Sequence, residues 1–127
     1  MRLIKQGFLL VGFLFSMFSC KPEEIQDNTP SELKTGLFVL NEGLFQQNNA
    51  SIDFREESTG LVTSEIFKAI NERGIGDTGN DMIVYGSKIY CVVNVSGQVE
   101  VFNKSTARSI AQIPLQTSGN SKQPRSI

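Results

Sequence analysis

Short β-prone runs separated by turn residues fill the chain from residue 35 onward. Apolar runs lie at 37–40, 82–85 and 89–93, while 51–54 alternates between apolar and polar side chains. Gly, Ser, Asn and Thr cluster after most of these runs. Several short strands with frequent turn signals predict an all-β fold, as a sandwich, a barrel or a propeller.

One segment departs from the strand pattern. Residues 64–73 fit a short helix that begins at a Ser64 cap and ends at Gly74. The same segment is also compatible with continued strand structure, so both alternatives stay open at this point.

The first 20 residues have the pattern of a targeting segment. Arg2 and Lys5 precede an apolar run at 8–18, which is too short to span a bilayer as a helix of about 20 residues. Its length is typical of a signal-peptide core. The run ends at Ser19 and Cys20, and polar residues follow at once.

This N-terminal pattern resembles the bacterial lipoprotein signal, in which a peptidase cleaves just before an acylated cysteine. The resemblance implies a signal peptide at 1–19 and lipidation of Cys20 by acyl chains such as palmitate. The two prolines and scattered charges at 21–34 predict a flexible tether, so that 20–34 holds the lipidated cysteine and the tether. Two or three acyl chains would anchor the protein stably in a membrane. A plain secretory signal with an incidental cysteine is the alternative. Glu23 and Glu24 resemble an export tag, so we expect an outer-membrane protein that faces the cell surface.

Composition narrows the function classes. The chain has no histidine, which excludes His-dependent catalytic triads and metal or haem sites that need imidazole. Without Arg2 and Lys5 the mature chain is slightly acidic, which does not fit a nucleic-acid partner. We expect no enzyme activity and no cofactor. Cys91 lies in an apolar run and is expected to be a buried structural cysteine.

The chain also contains an internal repeat. Residues 37–41 align with 90–94 at an offset of 53, and the Ser-Thr turn at 58–59 aligns with 105–106 at an offset of 47. An insertion of seven residues at 44–50 in the first copy would account for the change of offset. Asp53 and Glu100 then hold matching positions on the polar side of their strands, where we expect solvated carboxylates.

A repeat of this length, with several strands in each unit, is close to the length of a propeller blade, about 40–50 residues. The units at about 35–79 and 80–127 supply two blades, whereas closed propellers typically have about 4–8. The sequence therefore predicts an all-β partial β-propeller that follows a signal peptide and tether. We expect a truncated or partial gene product, and a small autonomous β domain is the alternative.

Four stretches carry a family resemblance: GLFVLNEG at 36–43, NNASIDF at 48–54, the segment 80–106, and QPRSI at 123–127. They resemble the start of YncE-like seven-bladed propellers, and in particular surface lipoproteins of gut anaerobes that include cobalamin-binding members. The resemblance implies a non-catalytic protein that binds a corrinoid such as cobalamin beside an outer-membrane transporter. An adhesin-like or scaffold propeller that binds protein or glycan is one rival, and a fragment of a propeller lyase or lactonase is another.

The inserted loop at 44–50 is the main candidate for ligand contact. It offers one aromatic ring and four side-chain amides, which both donate and accept hydrogen bonds and so suit an amide-rich ligand or a sugar. The alternative is a solvated loop whose amides stabilise turns. With two residues at the base of the loop, the candidate ligand-binding residues are Asn41, Glu42, Phe45, Gln46, Gln47, Asn48 and Asn49.

Two further motifs carry weaker signals. Residues 74–79 match GxGxxG, but a dinucleotide site needs a strand before the motif and a helix after it, the reverse of the order here. We therefore expect a loop between blades. Asp77, Asn80 and Asp81 offer oxygen ligands without the spacing of a calcium loop, and we expect no metal site.

Overall fold

Two antiparallel sheets form the fold, in the computed structural model that describes residues 32–117 and 120–127. The first sheet has the order β1-β2-β3, the second has the order β4-β5-β6-β7, and β8 pairs with β9. The predicted all-β partial propeller is confirmed. The predicted signal peptide, Cys20 and the tether as far as residue 31 lie outside the described residues. The end of the predicted tether is not free, because Leu33 packs against the core and donates its N–H to the Ser105 carbonyl at 2.6 Å. The bounds are Gly36–Asn41 (β1), Ser51–Glu56 (β2), Val62–Thr63 (β3), Ile66–Asn71 (α1), Gly79–Tyr85 (β4), Lys88–Val93 (β5), Gln98–Asn103 (β6), Ser109–Pro114 (β7), Gln116–Thr117 (β8) and Asn120–Ser121 (β9).

The core lies between the two sheets. Alternation along each strand gives each sheet one face toward the other, which we call its inner face, and an opposite outer face. The ring centroids of Phe38 and Phe54 on the first sheet are 4.9 Å apart, and Phe38 lies 6.1 Å from Phe102 on the second. Phe67 of α1 lies 5.5 Å from Phe102. These aromatic contacts join both sheets and the helix into one hydrophobic core.

The sheets approach most closely where β1 ends and β4 begins. The Gly79 backbone N–H donates to the Glu42 carbonyl oxygen at 3.0 Å. A Cβ atom at Gly79 would lie 2.7 Å from a methyl carbon of Leu40, so a side chain there would displace Leu40. This glycine therefore allows the first sheet to sit against the start of β4.

The helix forms, but its ends differ from the prediction. It covers Ile66–Asn71, because Glu65 and Glu72 both adopt the left-handed conformation and interrupt the helical backbone on either side. Ser64 does not cap it. The Glu65 backbone N–H instead donates to Asp53 Oδ1 on the neighbouring strand at 2.8 Å, a contact that sequence-local capping rules cannot predict. Among the described residues, no helix is long and apolar enough to cross a bilayer.

Strand pairing shows two equivalent hairpins and changes the register of the predicted repeat. Val39 pairs with Asp53 in the first sheet, as Cys91 pairs with Glu100 in the second. Equating these pairs aligns β2 with β6 at the predicted offset of 47 but β1 with β5 at an offset of 52. The predicted offset of 53 is wrong by one residue, which would place every β1 side chain on the opposite face. Consecutive apolar residues in both strands hide the alternation that would fix the register.

The corrected register also changes the length of the insertion. The β1–β2 connection covers residues 42–50, whereas the β5–β6 connection covers only 94–97. The first connection is therefore five residues longer, and not seven as the sequence alignment indicated.

Glu100 is buried, in contrast to the solvated carboxylate that strand alternation predicted. Its side chain is 0% exposed and lies on the inner face of the second sheet beside Phe102. Arg73, which follows α1, donates from Nη2 to Glu100 Oε1 at 2.8 Å and to Ser109 Oγ at 2.9 Å. The Arg73 guanidinium also lies 5.1 Å from the Phe67 ring centroid. Glu100, which the strand pattern placed on the polar side, therefore forms an ion pair within the core.

Asp53, the equivalent position in the first sheet, is only partly buried. Its Oδ2 accepts a hydrogen bond from Asn41 Nδ2 at 3.0 Å. With Oδ1 bound by the Glu65 N–H, both carboxylate oxygens are engaged by the protein.

Cys91 is a free, fully buried cysteine, as predicted. Burial, together with the negative charges of Glu100 and Asp81, raises the pKa of its thiol to about 12. The thiol is therefore protonated in the folded protein at neutral pH.

We expect Arg73→Met to lower the free energy of unfolding by about 3 kcal/mol, because Glu100 would keep a buried charge without its partner. The double variant Arg73→Met/Glu100→Met removes both charges and should recover most of this loss. Urea denaturation followed by circular dichroism measures both effects. A double variant no more stable than Arg73→Met would show that the unpaired charge is not the cause.

The raised pKa of Cys91 predicts a pH-dependent stability. The unfolded thiol ionises near its ordinary pKa of about 8.5, whereas the folded thiol stays protonated to about 12. Stability from this group is therefore complete below about pH 8.5 and falls as the pH rises toward 12. We expect wild type to lose about 2 kcal/mol more than Cys91→Ala between pH 7.5 and pH 10 in urea denaturation. Equal losses in the two proteins would contradict the assignment.

Candidate functional site

The β1–β2 loop, residues 42–50, closes on itself through one of its own amides. The Leu44 backbone N–H donates to Asn49 Oδ1 at 2.7 Å, and the Gln47 N–H donates to the Leu44 carbonyl at 3.0 Å. Gln46 and Asn48 adopt left-handed backbone conformations within this turn. The side-chain oxygen of Asn49 thus stabilises the turn within the loop. This is the role that the alternative interpretation, a solvated loop with turn-stabilising amides, predicts for this residue.

Asp77 holds the loop against the rest of the protein. This buried carboxylate accepts hydrogen bonds at Oδ1 from the Gln46 backbone N–H at 3.1 Å and from Thr78 Oγ1 at 2.8 Å. The Asp77 N–H donates in turn to Ser96 Oγ at 2.8 Å. Sequence reasoning missed this role, because the partners lie 31 and 19 residues away along the chain.

The Gly-rich segment 74–79 is the loop between the two sheets, as the element order predicted. Ala50 pairs with Gly76, and the Ala50 N–H donates to the Gly76 carbonyl at 3.1 Å. Gly76 has a φ of +131°, and a Cβ atom there would lie 2.7 Å from Ser96 Oγ. This segment therefore supports the end of the β1–β2 loop and packs against the β5–β6 turn.

The supported loop exposes two large apolar side chains. Leu44 is 67% exposed and Phe45 is 64% exposed, and the neighbouring Gln46 and Gln47 are also exposed. Apolar and amide groups therefore lie together on a loop whose backbone is fixed by its contacts with the segment 74–79.

An open depression of about 410 Å³ lies beside the base of the loop, where β1 meets β4. Glu42, Asn80 and Asp81 contribute its polar lining, and Leu40 and Met82 contribute apolar surface. Asp81 Oδ1 accepts the Met82 N–H at 2.9 Å, and Asp81 Oδ2 accepts the Ile127 N–H at 3.1 Å. The volume falls in the range of about 300–1,000 Å³ that is typical of ligand sites.

A second cavity, of about 180 Å³, lies beside the end of the loop. Asn48, Asn49 and Ser51 line it together with Phe67 and Lys68 of α1. This volume is below the range of about 300 Å³ and above that suits a drug-sized ligand.

The structure separates the predicted ligand-binding residues into four groups. Glu42 lines the open depression, and Asn48 and Asn49 line the small cavity. Phe45, Gln46 and Gln47 are exposed on the loop. Asn41 is apart from all of these, because its Nδ2 donates to Ser51 Oγ at 3.1 Å and to Asp53 on the outer face of the first sheet. The seven residues therefore do not line one common cavity.

The candidate site does not bring a set of metal-ligating side chains together among the described residues. Within residues 32–117 and 120–127, no three His, Cys, Asp or Glu side chains lie together so that they could hold a metal ion. Asp77 and Asp81 are instead acceptors for the backbone and hydroxyl donors described above.

We expect Asp77→Ala to free the loop, because Gln46 would lose the acceptor that fixes its backbone. Chymotrypsin should then cut after Phe45 several times faster than in wild type, as measured by limited proteolysis and mass spectrometry. Asp77→Asn keeps an oxygen at the same position and should behave nearly as wild type. Equal cleavage rates in Asp77→Ala and wild type would show that the loop is held by other contacts.

Comparison with known proteins places the chain in a family. A search of curated proteins gives no match. The family model described as Domain of unknown function (DUF5074) matches residues 35–124, which include both sheets, α1 and the β1–β2 loop. The chain therefore belongs to the DUF5074 family, whose fold is β-propeller-like.

Proposed function

We propose that this protein is a non-catalytic, YncE-like surface lipoprotein that captures a corrinoid, such as cobalamin, for an outer-membrane transporter. The anchor would be acylated Cys20, at the end of the 8–18 apolar run. The signal peptide at 1–19 would be removed, and the tether from residue 20 up to Leu33, which packs against the core, would join the sheets to the outer membrane. Support for this placement comes from the charge, length and cysteine pattern of the N-terminus.

The observation that carries the binding proposal is the fixed, amphipathic β1–β2 loop. Leu44 and Phe45 are about two-thirds exposed, although side chains of this size are usually buried. Asp77 fixes the loop backbone, so a ligand would meet a preformed surface and little ordering entropy would be lost. The adjacent depression of about 410 Å³ provides a concave edge.

This surface suits a corrinoid in its chemistry. The periphery of a corrin ring carries several amides, and the exposed amides of Gln46 and Gln47 can both donate to and accept from such groups. The Phe45 ring can pack on the flat macrocycle. Because the depression is open, a ligand larger than 410 Å³ can rest on its rim and project into solvent.

A second candidate is an adhesin-like or scaffold role in binding protein or glycan. The same exposure of Leu44 and Phe45 favours it, since aromatic side chains are enriched at protein interfaces. A glycan would use the Phe45 ring and the loop amides in the same way as a corrinoid. The two candidates differ in ligand rather than in the position of the site.

Titration of the full chain in detergent with cyanocobalamin tests the corrinoid proposal. We expect heat release and a change in visible absorbance on binding. Phe45→Ala should weaken the binding by about tenfold, the equivalent of about 1.4 kcal/mol, because the ring contact is lost. Gln46→Ala/Gln47→Ala should weaken it further by removing amide partners.

Tyr85→Ala is the matched control, because Tyr85 is an aromatic residue that is 76% exposed, against 64% for Phe45, and lies at the opposite end of β4 from the depression. Its affinity should equal that of wild type. Absence of binding in wild type, or equal loss in Phe45→Ala and Tyr85→Ala, would overturn the corrinoid site. Binding of a glycan array or a surface protein that depends on Phe45 would then favour the second candidate.

A further inference from the structure

The two units of the chain carry opposite charge. In the first unit, at 35–79, seven acidic residues stand against three basic ones. Beyond Asp81, in contrast, the second unit has five basic residues and one acidic residue, Glu100, which is buried and paired with Arg73. The exposed charge of the second unit is therefore positive. Such a charge asymmetry between the halves of a chain is typical of proteins that contact an anionic surface.

Two of these basic residues lie side by side at one end of the second sheet. Lys88 begins β5 after the β4–β5 turn and pairs with Asn103, the last residue of β6. Lys104 follows Asn103, and its backbone N–H donates to the Ser87 carbonyl oxygen at 3.0 Å. Both lysines are exposed, and among the described residues no carboxylate lies within ion-pair distance of either ammonium group. Their charges are therefore available to an external anion.

An exposed aromatic ring lies beside the two lysines. Tyr85, the last residue of β4, is 76% exposed and pairs with Lys88 across the β4–β5 turn. Paired residues project from the same side of a sheet, so the ring and the ammonium group are neighbours. Tyrosine and lysine side chains together favour the boundary between water and lipid headgroups, where the ring is partly desolvated and the cations meet phosphates. We call Tyr85, Lys88 and Lys104 the basic end of the second sheet.

The basic end lies where the chain enters the fold. The Leu33 N–H donates to the carbonyl oxygen of Ser105, the residue after Lys104, at 2.6 Å. Thirteen peptide bonds separate Leu33 from Cys20. A flexible chain of that length spans about 20 Å on average and about 45 Å at most. An acyl anchor at Cys20 would therefore hold the basic end close to the bilayer surface.

The candidate ligand site lies at the other end of the sheets. β1 starts at Gly36, three residues after Leu33, and ends at Asn41, where the β1–β2 loop follows. Its six residues extend over about 20 Å. Contact between the basic end and a membrane thus leaves the loop pointing away from that membrane.

The acidic residues at the basic end determine which sheet would approach an anionic surface most closely. Glu56 of the first sheet is paired with Lys34 at 3.1 Å, whereas Glu32 and Glu57 are exposed. Repulsion of these two carboxylates from the surface would tilt the molecule so that the second sheet lies nearest to the headgroups.

We propose that the basic end binds the anionic phosphate groups of the lipids in the membrane that holds the Cys20 anchor. The inference rests on the lipoprotein placement proposed above and adds a second contact to the acyl chains. Each lysine near an anionic surface strengthens binding about fivefold, the equivalent of about 1 kcal/mol. Because the anchor keeps this end at a high local concentration beside the headgroups, a contact of this modest strength is sufficient. Docking then orients the β1–β2 loop toward the surroundings, from which a corrinoid would arrive.

A tryptophan at position 85 measures contact with the membrane, because the natural chain has no tryptophan. The acylated full chain carrying Tyr85→Trp is reconstituted into vesicles of phosphatidylcholine mixed with anionic phosphatidylglycerol. We expect a blue shift of the tryptophan emission and quenching by brominated lipids. Both should decrease at high salt or in vesicles of phosphatidylcholine alone. Phe45→Trp is the matched control, because Phe45 is 64% exposed at the opposite end and should show neither effect.

Neutralising the two lysines tests the contribution of charge. Molecules whose tryptophan is quenched by brominated lipid count as docked. In the Tyr85→Trp chain, Lys88→Gln/Lys104→Gln should lower the ratio of docked to undocked molecules about 25-fold, which is about fivefold for each lysine. Circular dichroism checks that the variant keeps its β structure.

Lys122→Gln/Arg125→Gln is the matched control for charge. It removes the same two positive charges from an exposed segment at the opposite end, where the Pro124 carbonyl accepts a hydrogen bond from Asn94 Nδ2 at 2.8 Å. Quenching of the tryptophan at position 85 should be the same as without these two substitutions.

Flotation of the vesicles separates the docking proposal from the proposed anchor. A chain that does not float with the vesicles has no lipid anchor, and the docking that rests on the anchor fails with it. A chain that floats without a blue shift in Tyr85→Trp keeps the anchor and overturns the docking alone. Equal shifts in Tyr85→Trp and Phe45→Trp, or equal losses in the two double variants, would also overturn it, since the contact would not depend on the basic end.

Discussion

The buried carboxylate of Glu100 constrains how the two sheets pack. A charge that is fully removed from water is costly unless a cation and hydrogen-bond donors meet it in the core. Arg73 and Ser109 supply those contacts to Glu100 Oε1, whereas the buried Oε2 has no hydrogen-bond partner among the described residues. Arg73 comes from the segment that leads from α1 into β4. The helix, the connecting segment and the second sheet must therefore be in place together. The aromatic cluster of Phe67 and Phe102 closes around the same point.

The connecting segment that carries Arg73 also positions the candidate site. A few residues further on, Gly76 pairs with Ala50 and Asp77 accepts the Gln46 N–H. The β1–β2 loop is thus attached to the same stretch of chain that satisfies the buried charge. Because Gly76 and Asp77 contact the loop, its backbone is fixed without further contacts among the loop residues themselves. Disturbance of the core ion pair is therefore expected to reach the loop through the segment 74–79.

Much of the fold follows from the sequence, because turn residues mark where each strand ends. The two-unit repeat was also predictable, but its register was not, since consecutive apolar residues in β1 and β5 show no alternation. The alternation of polar and apolar residues in β6 gave the wrong face for Glu100. The burial of this charged side chain depends on an ion pair with Arg73, 27 residues away. The candidate site, too, was predictable only in part. Composition pointed to the β1–β2 loop, whereas the support from Asp77 and the separate position of Asn41 depend on contacts that only folding creates.

The different lengths of the two hairpin connections have a consequence for how such proteins diversify. The first connection is five residues longer than the second, yet β1 and β2 pair in the same register as β5 and β6. Loop length is therefore uncoupled from strand pairing at this position, and longer closed loops cost little additional entropy. A change in the length of this connection is therefore expected to leave the pairing of the two strands intact. The hairpin can then carry loops of different surface chemistry on the same pair of strands.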